Sequence, residues 1–127
     1  MAFGDVGGVV TELVITCRTP ASGTISIAKG DAVELTDDYT VNNATDAEDV
    51  VFGQALADAS ENGLAIPVKV RGICVFGYTG ETPPAVNGAA GILASATDGK
   101  VKAPASGNGV GINVKVDATN SLVHVLL

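Results

Sequence analysis

Apolar and polar positions alternate with a period of two in several short runs of this chain, the signature of half-buried β-strands. The clearest run is 64–70, with Leu64, Ile66, Val68 and Val70 on one side and Ala65, Pro67 and Lys69 on the other. Ile25 and Ile27 alternate with Ser and Ala over 24–28, and Val33 and Leu35 flank Glu34 over 32–36. The β-branched content of 9–19 predicts another strand, and shorter ones fall over 50–57, 72–78, 92–94, 101–103, 112–116 and 122–127. Pro67 has no N–H, so its strand lies at an edge or is locally unpaired there. Residues 37–49 are too polar for a core strand, apart from Tyr39-Thr40-Val41. Residues 58–63 suit one helical turn or a hairpin loop. Thr97-Asp98-Gly99-Lys100 predicts a type I′ hairpin turn, because Asp-Gly tolerates the left-handed backbone it needs. No window sustains the 3.6-residue period of a helix. The expected fold is all-β: a small β-barrel, β-tulip-like or sandwich module of short strands.

The pattern also repeats. Gly53 to Val70 and Gly111 to Leu126 each run from a glycine through a short apolar segment and an Asp-Ala-Ser/Thr turn into an alternating run that opens on Leu. Gly30-Asp-Ala-Val-Glu-Leu35 and Gly88-Ala-Ala-Gly-Ile-Leu93 precede them, and the copies sit about 58 residues apart. The organisation predicted is a flexible N-terminal arm, 1–8, followed by one β domain, 9–127, with a weak internal repeat. The arm is glycine-punctuated and reads as a frayed end or as a segment that orders on a partner. Phe3 favours the second, because an aromatic ring in a loose terminus gains nothing unless it docks. The candidate contact residues are therefore Ala2, Phe3, Asp5 and Val6.

Composition narrows the partners. The 127 residues include three Phe, two Tyr and no Trp, so the core is built from Val, Ile, Leu and Ala. A formal charge of −7 leaves no basic footprint for nucleic acid and no attraction to anionic lipid. No apolar stretch is long enough for a membrane-spanning helix, and the first residues lack the basic and apolar regions of a signal peptide. Synthesis in a reducing cytosol is the expectation, with Cys17 and Cys74 as free thiols; a bridge between adjacent strands stays open as the alternative.

Catalytic patterns are scarce. His124, inside Leu-Val-His-Val-Leu-Leu, is the one histidine; if Leu122, His124 and Leu126 share a face, its role is packing, edge exposure or contact with a neighbour. Two isolated cysteines do not make a zinc site. Asp37, Asp38, Asp46, Glu48 and Asp49 lack the loop spacing calcium requires and read as a solvated acidic segment. Paired carboxylates for glycoside hydrolysis normally sit in an aromatic-lined cleft, which this composition does not supply. Gly107-Asn-Gly-Val-Gly111 precedes a strand and no Lys-Ser/Thr follows, so it reads as a flexible corner and not a phosphate cradle. No cofactor and no enzymatic activity are expected.

Lys29-Gly-Asp-Ala-Val-Glu-Leu-Thr36, Phe52-Gly-Gln-Ala-Leu-Ala-Asp-Ala59, Ala65-Ile-Pro-Val-Lys-Val-Arg-Gly72, Ala94-Ser-Ala-Thr-Asp-Gly-Lys-Val101 and the closing Val110-Gly-Ile with Leu122-Val-His-Val-Leu-Leu127 occur in that order. In order and spacing they resemble the small capsid cement, or decoration, proteins of tailed bacteriophages, over roughly residues 24–127. The resemblance implies a non-enzymatic protein made in the host cytoplasm and carried on the outer capsid surface of the virion. Its partner would be the major capsid protein, bound where subunits meet, often by a homotrimer, so that the expanded shell is clamped. Many weak contacts repeated over a lattice suit such a module. A carbohydrate- or receptor-binding module of a phage fibre is the alternative, weakened by the shortage of Trp and Tyr for stacking on sugars.

Overall fold

The computed structural model describes residues 12–80, 82–86 and 91–127. Among these the chain is all-β, without helix, and its strands are β1 (Leu13–Arg18), β2 (Ala32–Asp37), β3 (Thr40–Asn43), β4 (Gly53–Ala55), β5 (Ala65–Arg71), β6 (Ile73–Gly77), β7 (Leu93–Ala94), β8 (Val101–Lys102), β9 (Ile112–Asp117) and β10 (Leu122–Leu126). The first five close into a barrel in the order β1-β3-β2-β4-β5. β6, β10 and β9 form an open antiparallel sheet with β10 in the middle, and β7 and β8 form a small hairpin. The two halves of the sequence repeat thus become antiparallel pairs in different settings, β4 with β5 in the barrel and β9 with β10 in the open sheet.

β5 shows how alternation becomes structure. Ile66, Val68 and Val70 point into the barrel core, while Leu64, expected on the same face, lies just outside the strand and is exposed. The strand is not at an edge, because β1 and β4 flank it. Pro67 sits just past the end of β4, where its carbonyl accepts the Leu56 N–H at 3.0 Å and no proton is available in return. The proline is tolerated at that single unpaired position.

Other expectations need correction. Residues 24–28 bury Ile25 and Ile27 but form no strand beyond a bridge from Ile27 to Ala59. The Ala28 N–H bonds the Asp31 carboxylate and the Lys29 N–H bonds that of Asp58, so this backbone turns away. Within the polar segment, the excepted Thr40 and Val41 do lie in a strand, β3, which runs on through Asn42 and Asn43. Its Thr40 and Asn43 are buried because Arg18 Nε donates to Thr40 Oγ1 and Asn43 Nδ2 donates to the Ser26 carbonyl. Val50 is 65% exposed instead of joining the core. The 97–100 turn forms, with Lys100 N–H on the Thr97 carbonyl, but only Gly99 has positive φ (72°), so it is not type I′. Residues 58–63 form turns and no helix.

Two apolar clusters lie on opposite sides of β2. Val33 faces the barrel core with Val41, Ile66 and Val68. Its neighbour Ala32 faces a second core with Ala44, Val51, Cys74, Phe76, Val101, Val123 and Val125. Cys17 belongs to the first core and Cys74 to the second, both as free thiols whose pKa burial raises. The β7–β8 hairpin is bonded to both flanks. Gly99 accepts from Ala32 N–H at 2.9 Å on the barrel side, and Val101 accepts from Thr79 N–H at 2.9 Å on the sheet side.

Gln54 on β4 ties these parts together from a buried position. Its Nε2 donates to the Gly30 carbonyl at 3.2 Å and to the Val75 carbonyl of β6 at 2.7 Å. Gln54→Leu keeps the volume and removes both donors. It should lower unfolding free energy by about 1–3 kcal/mol in urea titration, the cost of abandoned buried acceptors. An unchanged midpoint would show that this tie is dispensable.

Candidate interaction surface

The open sheet has one face in the second core and one in solvent. Cys74, Phe76, Asn113, Val123 and Val125 point inward. The opposite face carries a row of Ile112, Leu126 and Ile73, which are register partners across the three strands. All three are 43–46% exposed. Val75 and Val114 extend the row at 38% and 43%. The register of β9 slips against His124 and Val125, so that Val125 pairs with Asn113 and His124 with Lys115. The extra residue is Val114, and the bulge sets Val114 and Lys115 side by side on the outer face.

A second apolar area lies on the barrel. Leu35, Val50 and Phe52 line a cleft of about 450 Å³ together with Arg71, Val110 and Leu127. Leu35 and Phe52 also border a smaller recess with Ile15, Tyr39, Asp37 and Asp38. Tyr39 is 70% exposed at the tip of the β2–β3 hairpin and has φ of 47°, a left-handed conformation that a bulky side chain adopts at a cost of about 1–2 kcal/mol. The hairpin tip thus holds an aromatic ring out in solvent on a backbone conformation rare for its type.

His124 sits on β10 between Val75 and Lys115, on the outer face with Leu122 and Leu126. Among the described residues no three His, Cys, Asp or Glu side chains gather where they could hold a metal ion. Glu48 forms an ion pair with Lys102 at 2.6 Å and accepts the Ala105 N–H, contacts that lower its pKa. The acidic segment is therefore divided, with Asp37 and Asp38 at the hairpin tip and Glu48 against β8. Gly107 to Gly111 forms the corner leading into β9, with Val110 bridged to Ile92. Ala2, Phe3, Asp5 and Val6 lie outside the described residues.

The exposed apolar rows were not singled out by sequence reasoning, although a signal was present. β6 and β10 are apolar on both faces, Ile73 and Val75 against Cys74 and Phe76, and Leu122 and Leu126 against Val123 and Val125. Such strands read as covered on both sides. No protein-family model and no curated protein matches this chain.

Next to the barrel face, Glu34 of β2 lies by Asp49 and Asp46. Burial, a hydrogen bond with Asp49 and the negative charges of Asp49 and Asp46 push its carboxyl up from 4.5 to about 7. Between those values the unfolded chain has released a proton that the folded chain retains. Stability therefore falls as pH rises through this window and is level on either side. Glu34→Gln should be more stable than wild type at about pH 8, with the difference closing toward about pH 4. Urea midpoints at the two pH values check this, and a difference independent of pH would contradict it.

Proposed function

We propose that this protein is a non-enzymatic decoration protein of a tailed-phage head. It binds the outer surface of the shell between subunits of the major capsid protein, acts as a homotrimer and stabilises the expanded shell. The observation that carries the reading is the exposed apolar surface on a small acidic β module: five aliphatic side chains on the open sheet and a cleft on the barrel. Apolar area of this kind on a small protein marks sites of protein contact. The segments that resemble cement proteins support the reading in a second way, because they coincide with β2, β4, β5, the β7–β8 hairpin and β9–β10. These elements build both cores and hold the exposed faces in place.

Attachment through the arm is part of the proposal. Gly7 and Gly8 separate it from β1, and the described cores draw only on residues from Ile15 onward. Burying Phe3 supplies about 1.5–3 kcal/mol per copy, part of which is lost in ordering the arm. Deleting residues 2–7 should leave the unfolding midpoint unchanged and weaken binding to undecorated expanded heads by about tenfold or more. Co-sedimentation of wild type and truncation with such heads tests both levels. Equal occupancy would remove the arm from the contact. No binding by the wild type, with binding to glycans instead, would favour a fibre-type module.

A further inference from the structure

We infer that Asn108, at the corner leading into β9, is a site of spontaneous covalent modification, converting to aspartate and isoaspartate through a succinimide closed by the nitrogen of Gly109. Asn-Gly is the pair in which this ring closes most readily, because glycine has no Cβ to crowd the approach of its own nitrogen. Among the described residues there are two such pairs, Asn62-Gly63 and Asn108-Gly109, and both asparagines are exposed; Asn87-Gly88 lies outside the described residues. Hydrogen bonding separates the two. Asn62 Nδ2 donates to the Pro20 carbonyl at 3.0 Å and to the Gly23 carbonyl at 3.1 Å. The Gly63 N–H, whose nitrogen would have to attack, donates to the same Pro20 carbonyl at 3.1 Å. Ring closure at Asn62 must first break these bonds. Among the described residues no hydrogen bond holds the Asn108 side chain or the Gly109 N–H.

The Gly109 nitrogen loses its proton and attacks Asn108 Cγ. The N–Cγ bond forms, the Cγ–Nδ2 bond breaks, and ammonia leaves with the proton. Water then opens the ring. Opening at Cγ leaves aspartate; opening at the backbone carbonyl leaves isoaspartate, whose main chain runs through Cβ and Cγ and is longer by a carbon. Either product adds a negative charge to a chain already at −7. The longer main chain of isoaspartate meets a corner without slack. A Cβ on Gly109 would stand 2.4 Å from the Ile92 carbonyl oxygen, and one on Gly91 would stand 2.5 Å from that of Val110. Ile92 and Val110 exchange both backbone hydrogen bonds, at 3.0 and 2.8 Å. Isoaspartate at 108 therefore strains this bridge, which fixes the chain just before β9 and, with Val110 and Gly111, one wall of the barrel-side cleft. The reaction needs only this corner and water, and holds or fails independently of capsid binding.

Incubation of the purified full chain in mildly alkaline buffer, followed by peptide mapping with mass spectrometry, reads both sites in one sample. In the folded protein Asn108 should convert at least about tenfold faster than Asn62, the effect of the hydrogen bonds that ring closure at Asn62 must break. In concentrated urea those bonds are gone, and the two sites should convert at similar rates. Asn108→Gln, which would have to close a larger ring, should suppress conversion at 108 and leave Asn62 as slow as in wild type. The isoaspartate form, separated by ion exchange, should unfold at lower urea than the unmodified chain. Equal rates in the folded protein, a faster Asn62, or an Asn108 that converts in urea but not when folded would each overturn the assignment. An unchanged urea midpoint for the isoaspartate form would overturn the strain at the Ile92–Val110 bridge.

Discussion

Everything in this structure depends on one strand having a core on each side. β2 turns Val33 into the barrel and Ala32 into the second cluster, and both are fully buried. The wall must be thin, and it is. Ala32, Ala44 and Gly53 bring neighbouring backbones close, and a Cβ on Gly53 would stand 2.5 Å from the Lys69 carbonyl oxygen. Neither cluster is large, and Phe76 is the one aromatic ring fully buried among the described residues. Small cores gain from sharing a wall, because each removes from water a surface the other would leave exposed.

The wall also governs what the surface can do. The barrel face and the open-sheet face belong to elements joined through it by backbone bonds of the β7–β8 hairpin and by the Gln54 amide. Two apolar faces are thereby held at a fixed relation to one another. Packing polar Glu34 on the other side of the same strand, beside Asp49 and Asp46, makes stability respond to pH near neutrality.

Strand alternation carried much of this in the sequence. The period of two in β2 and β5 located those strands, and the absence of a helical period pointed away from helices. Short-range patterns failed where tertiary partners decide. β3 runs beyond Thr40 and Val41 to a buried Asn43, whose side-chain amide N–H donates to the carbonyl of Ser26, remote in sequence. Residues 24–28 have strand propensity, but the Asp31 and Asp58 carboxylates capture the amides that follow. Asp98-Gly99 turns differently because the turn packs into the molecule, with Gly99 against Asp31 where a Cβ would meet the carboxylate. The exposed apolar row was half legible: β6 and β10 are apolar on both faces, but which row lies outward follows only from the pairing of β6 and β9 with β10.

Native-state hydrogen exchange tests the shared wall most directly. If β2 makes the barrel and the open sheet one cooperative body, the amides of Val68 in β5 and Val125 in β10 exchange through the same global opening, with equal free energies and equal dependence on denaturant. If the open sheet exchanges through a separate opening, lower by about 2 kcal/mol or more while the barrel stays protected, the two cores are independent and the account is wrong.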